Sequence, residues 1–161
     1  YILSGIYGNM ASCVFLEDSI GVGSSGAVLG MLTSWIVWIV FRWDKIPENN
    51  RSQRNCQMLV VTGCVVSTLA MSFSSLVDWA AHFGGAIQGF LLAVVFLSYE
   101  IENPLIKKYI RIWAGFTSFA LFAITLYYIL SELHPSKEFL SLFDANDDWN
   151  KYPHNGPNEA D

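Results

Sequence analysis

A serine stands among glycines where a long apolar run begins, in Gly21-Val22-Gly23-Ser24-Ser25-Gly26-Ala27. A serine hydroxyl is a weak nucleophile until a base takes its proton. The candidate base is His82, in Asp78-Trp79-Ala80-Ala81-His82-Phe83-Gly84-Gly85. An ionisable side chain inside an apolar span is costly and marks a functional site by default, although a lone histidine there also serves as a structural hydrogen-bonding group. Both residues open an apolar segment. Gly26 and Gly30 follow the serine, and Gly85 and Gly89 follow the histidine. Small residues four apart let helix backbones approach closely, so packing alone would explain the glycines. If the two glycine pairs bring their helices together, His82 reaches Ser25. The start of the serine helix adds backbone N–H groups, at Ser24 and Ser25, suited to a developing oxyanion. Gly21-x-Gly23-x-x-Gly26 also matches the dinucleotide-binding fingerprint. That motif needs a preceding strand, a βαβ unit and an acidic residue about 20 positions on. Here an apolar span follows, and Phe41 and Arg42 stand where the acid belongs.

Composition sets the scaffold. The chain has 161 residues, 53% hydrophobic and 14% charged, with mean hydropathy +0.37. Soluble domains carry about 25% charged residues, so the expected class is an all-α, polytopic transmembrane helix bundle. Apolar spans are expected over 25–41, 57–77, 79–99 and 112–130, near the roughly 20 residues a crossing needs. Residues 1–20 read as the end of a further helix, interrupted by Gly5, Gly8 and Asn9, and then a loop. Between 56 and 99 the one charged residue is Asp78. Lys and Arg concentrate in the loops 42–55 and 100–111, with Pro104 barring a continuous helix in the second. Four crossings put both loops on one side, the cytoplasmic side by the positive-inside rule. Ser25, Asp78, His82 and the acidic tail then lie toward the opposite face. The sequon Asn50-Arg51-Ser52 falls in the cytosol by the same reading.

The motifs resemble those of the rhomboid intramembrane serine proteases. Gly23-Ser24-Ser25-Gly26-Ala27 is similar to the family's Gly-x-Ser-Gly motif. Ala81-His82-x-x-Gly85-x-x-x-Gly89 is similar to its second catalytic motif, and Ser4-Gly5-x-x-Gly8-Asn9 to the segment that precedes the serine. The likeness covers residues 1–98. It implies that Ser25 is the nucleophile and His82 the general base of a dyad, with backbone N–H groups of Ser24 and Ser25 in the oxyanion hole. It implies single-span membrane proteins as substrates, cut near the non-cytoplasmic face, and no cofactor. It also implies a core of six spans, of which this chain, opening on Tyr1 rather than Met, supplies the end of the third and the last three. The family's early His and Asn, which help bind the oxyanion, and its Trp-Arg loop would lie outside it, so the chain alone is expected to be an incomplete enzyme. The span at 112–130 matches a six-plus-one layout. Leu29 stands where many members carry an aromatic stacked on the histidine.

The expected organisation is the C-terminal part of a rhomboid-like catalytic domain over 1–98, a cytoplasmic linker and additional transmembrane helix over 99–131, and a flexible acidic tail over 132–161. Asp78, one turn before His82, suits interface solvation or a helix N-terminus better than a third catalytic role. Asp144-Ala145-Asn146-Asp147-Asp148 fails as a calcium loop, because Trp149 and Asn155 occupy positions that need Gly and Glu. Cys13, Cys56 and Cys64 form no Cys-x-x-Cys pair, and no metal site is expected. Cys56 lies near the expected bilayer surface, where lipidation is an option. His134 and His154 stand in the tail with no motif around them. The basic loops read as topology determinants, not nucleic-acid patches. The expected function is intramembrane endopeptidase, in a membrane of the secretory pathway or cell surface. A non-proteolytic relative that binds membrane clients is the alternative, and a structural or transport subunit is a third.

Overall fold

A computed structural model describes residues 1–16, 23–73 and 77–132. Among these the chain is all-helical: α1 (Ile2–Phe15), α2 (Ser25–Phe41), α3 (Arg51–Met71), α4 (Trp79–Leu97) and α5 (Pro104–Ser131). Short 3-10 turns, Glu48–Asn50 and Ser98–Glu100, precede α3 and follow α4. The segments Trp79–Glu100 and Pro104–Ser131 are long and apolar enough to cross a membrane, and α2 is a shorter apolar helix. The tail, with its failed calcium loop, His134 and His154, lies outside the described residues.

The bundle is organised around α4, which packs against α1, α2 and α5. Its buried face is built from Ala80, Ala81, Gly84, Gly85, Ala86 and Gly89. Such small residues suit a setting where lipid is as apolar as the side chains, so that close backbone approach drives association. The approach is close enough to exclude a side chain. A Cβ on Gly85 would fall on the carbonyl of Gly26, and one on Gly89 on the backbone of Gly30. A Cβ on Gly26 would lie 2.6 Å from the Ala81 carbonyl oxygen. Hydroxyls bridge the same seam: Thr33 Oγ1 donates to the Ala86 carbonyl at 3.0 Å and Ser34 Oγ to that of Gly89 at 3.0 Å.

The start of α4 is fixed by Asp78. Its Oδ1 accepts from the Ala81 N–H at 2.8 Å, an N-cap bond that satisfies one orphan donor of the first turn. Its Oδ2 accepts from Ser12 Oγ at 2.5 Å and so ties α4 to α1. The helix N-terminal role expected for Asp78 is the geometry observed.

Three boundaries differ from the sequence reading. Gly5, Gly8 and Asn9 do not interrupt α1, which runs unbroken through them. Gly8 instead lets α1 meet α4, since a Cβ there would lie 2.7 Å from the Ala81 carbonyl oxygen. As expected, Pro104 bars a continuous helix between α4 and α5, but the next helix begins at Pro104 itself, ahead of the expected 112. At this first position the proline's missing N–H would have no partner anyway. Asn103 Oδ1 caps this start, accepting from the N–H groups of Leu105 at 3.0 Å and Ile106 at 3.3 Å. The third helix starts at Arg51, ahead of the expected 57, so its first turns are polar.

Opposite the Asp78 end, the basic connection folds onto the end of α4. Glu100 is buried and receives Arg42 Nε at 3.2 Å and Lys45 Nζ at 3.1 Å. Arg54 lies over the Trp43 ring at 3.8 Å and donates to the Trp43 carbonyl at 2.7 Å. Residues 42–45 and Glu100 therefore share one end of the bundle.

The glycine seam gives a clear expectation. Gly89→Leu forces α2 from α4 and costs about 3 kcal/mol or more, at the upper end of overpacking penalties. Gly63, whose Cβ would meet nothing within 4 Å, is the control: Gly63→Ala stabilises by up to about 1 kcal/mol through helix propensity. Unfolding midpoints in detergent read both. Asp78→Ala lowers stability by about 1 kcal/mol on losing the cap, and Asp78→Asn, which keeps a capping oxygen, by less.

Candidate active site

Ser25 is the first residue of α2, with Ser24 at the N-cap. Gly23 before it has φ +156°, a conformation that side-chain-bearing residues rarely adopt. The turn puts the Ser25 hydroxyl on the outside, where the residue is exposed, while the glycines after it face α4. The N–H groups of Ser25 and its neighbours belong to the first helical turn, which has no partners within its own helix. Ser24, at the N-cap, and Ser25, the first helical residue, stand at this turn.

His82 comes from the first turn of α4 and is only 6% exposed. Its Nε2 lies 2.7 Å from Ser25 Oγ, across a sequence separation of 57. The distance falls in the range for a nucleophile and its general base. The glycine seam accounts for it. Gly26 meets Gly85 and Gly30 meets Gly89, so α2 and α4 run in the same direction, with α4 beginning more than a turn ahead of α2. The expected packing residues and the expected Ser25–His82 pair thus fall in one contact.

The second ring nitrogen meets a residue that the sequence did not single out. Ser72, in the turn ending α3, is fully buried, and its Oγ lies 2.5 Å from His82 Nδ1. It also lies 2.6 Å from the Thr68 carbonyl. Nothing in the sequence marks Ser72, because a serine at the end of an apolar helix usually bonds its own preceding turn. Asp78, by contrast, spends its oxygens on Ala81 N–H and Ser12, and Nδ1 faces Ser72.

Below this polar layer, beside the bridging hydroxyls of Thr33 and Ser34, lies an apolar cluster. Leu29, 1% exposed, packs with Val65 and Ala86, flanked by Leu32, Ile36 and Leu69. Beside the serine a cleft of about 330 Å³ opens between α1 and the start of α2. Ile2, Ile6, Asn9, Gly23 and Ser24 line it, an apolar groove with an amide and backbone groups at its rim. Among the described residues no cluster of His, Cys, Asp and Glu could hold a metal ion, and Cys13, Cys56 and Cys64 are free and exposed.

Comparison with known proteins places this geometry in a lineage. The chain is 35% identical over 97 residues to RHOMBOID-like protein 7 of Arabidopsis thaliana, covering 60% of this chain and 29% of that protein. To RHOMBOID-like protein 5 of the same plant it is 37% identical over 117 residues, 68% of this chain and 35% of that protein. It is also 36% identical over 100 residues to Inactive rhomboid protein 1 of Danio rerio, 62% of this chain and 11% of that protein. The chain thus spans about a third or less of the length of these relatives. No solved structure matches. The pattern of the Rhomboid domain matches residues 1–99, and the chain belongs to the Rhomboid domain family.

Proposed function

We propose that the chain carries the serine–histidine centre of an intramembrane serine endopeptidase. The observation that carries the reading is the 2.7 Å contact between Ser25 Oγ and His82 Nε2, with the serine exposed and the histidine buried. Ser25 Oγ attacks the scissile carbonyl while Nε2 accepts its proton. The carbonyl oxygen, now charged, lies against the backbone N–H groups of Ser24 and Ser25. The imidazolium then protonates the leaving amine, and the C–N bond breaks. Water attacks the acyl-enzyme with His82 again as base. Substrates are single-span membrane proteins, whose unwound segment enters the cleft beside α1. The chain crosses the bilayer several times in a secretory-pathway or plasma membrane, with 42–55 and 100–111 in the cytoplasm and the dyad near the opposite face.

A second reading is a non-proteolytic member that binds membrane clients. The match to Inactive rhomboid protein 1 favours it, as does Leu29 at the position implied to carry an aromatic.

A fluorophosphonate probe separates the two. The proteolytic reading expects labelling of the full-length protein at Ser25, and loss of labelling in Ser25→Ala. His82→Ala lowers cleavage of a membrane-embedded reporter by about 10⁴-fold or more, the scale of losing one member of such a unit. A folded full-length protein that stays unlabelled while an active relative is labelled sinks the reading, and retained client binding then favours the second. Topology has its own check: Asn50 stays unglycosylated in microsomes, and a glycan on it shows the orientation inverted.

A further inference from the structure

We infer that Ser72 is a positioning residue that fixes the tautomer of His82. A serine hydroxyl has one proton and two acceptor lone pairs. The Thr68 carbonyl, 2.6 Å from Ser72 Oγ, can only accept, so the Ser72 proton points there. Toward His82 Nδ1, 2.5 Å away, Ser72 can then only accept. Nδ1 must carry the hydrogen. A neutral imidazole has one N–H, which leaves the Nε2 lone pair facing Ser25 Oγ at 2.7 Å. The bonds run in one sense: Ser25 O–H to Nε2, Nδ1–H to Ser72 Oγ, Ser72 O–H to the Thr68 carbonyl. The opposite tautomer would aim an N–H at Ser25 and leave the ring unable to take the serine's proton.

The support comes from α3, which carries neither member of the dyad. The Ser72 N–H donates to the carbonyls of Thr68 at 3.0 Å and Leu69 at 3.2 Å, fixing the residue on the last turn. Ser72 is 0% exposed, so water does not stand in for it. When His82 becomes cationic, the Nδ1–H to Ser72 bond becomes charge-assisted and shortens the step toward the imidazolium. The role rests on the proteolytic reading, but the tautomer does not.

The test therefore reads both. Histidine ¹⁵N spectra of the protein in detergent, with the His82→Gln spectrum identifying the ring's resonances, report which nitrogen carries the hydrogen. The expected result is Nδ1–H in the native protein and a mixture of tautomers in Ser72→Ala. On a membrane-embedded reporter, Ser72→Ala lowers kcat roughly tenfold with KM little changed, the scale of one buried donor left unpaired. Ser72→Thr, which keeps the hydroxyl, recovers most of the loss. A native ring protonated at Nε2 overturns the inference without any variant. So does a Ser72→Ala protein with native kcat and tautomer, or one whose kcat falls only as its thermal stability falls. A native protein that neither cleaves nor labels at Ser25 removes the proteolytic reading, while the spectra still decide the role of Ser72.

Discussion

Everything else in the bundle depends on two helices touching backbone to backbone. Where Gly26 faces Gly85 and Gly30 faces Gly89, neither helix has room for a Cβ. A contact that tight admits one register. Slipping either helix by a residue would drive a side chain of Ala27 or Ala86 into the opposing carbonyls. Because the glycines repeat at four residues in both helices, the faces stay matched over a full turn. Ser25 precedes the first glycine of one helix, and His82 stands one turn above Ala86 on the other. Their separation follows from the seam and not from any flexible reach of the side chains. The bridging hydroxyls of Thr33 and Ser34 reinforce the register with bonds to carbonyls that the helix itself already uses.

The two ends of the seam are held differently. At the far end, Arg42 and Lys45 remain 43% and 40% exposed while Glu100 is 8% exposed. Half-exposed ion pairs contribute little stability each. Their effect is to register the basic connection against the end of α4. At the dyad end the ties are short hydrogen bonds among buried or half-buried groups, Ser12 to Asp78 and Ser72 to His82. Here the surroundings are apolar, so an unmet bond costs more than at the surface. The polar groups around the dyad are accordingly paired with one another, above the cluster of Leu29, Val65 and Ala86.

How much of this could be read from sequence depends on whether a residue's surroundings are local. Ser25 and His82 were legible because hydroxyl and imidazole are conspicuous at the start of apolar runs. The four seam glycines were legible because their spacing repeats. Asp78 was legible as a helix start, since a cap bonds within its own turn. Gly5 and Gly8 misled because a glycine breaks an isolated helix. In α1 that propensity cost is outweighed by the approach to Ala81 and Ala27 that only glycine permits. Pro104 was legible as a break between helices, but not as the first residue of the next one, because proline obstructs a helix interior and suits its first position alike. Ser72 was illegible for a further reason. Its value lies in a neighbour on another helix, and no spacing within α3 encodes that.

The choice of a hydroxyl behind the histidine has a physical logic at this depth. A carboxylate at Ser72 would stabilise an imidazolium more strongly, but it would carry a charge into a fully buried position. The desolvation cost of such an ion is several kcal/mol even after relaxation. A hydroxyl accepts the same N–H while remaining neutral, and it disposes of its own proton on the Thr68 carbonyl one turn back. Among the described residues, the carboxylate nearby is Asp78, kept to the rim, where the helix N-terminus and Ser12 satisfy it. The resting arrangement around His82 therefore needs no buried charge. In the proposed reaction, charge develops on imidazole and oxyanion together, next to the one exposed polar residue of the group, Ser25. The weaker support that a serine gives the cation is offset by a resting state in which every hydrogen bond has a single direction.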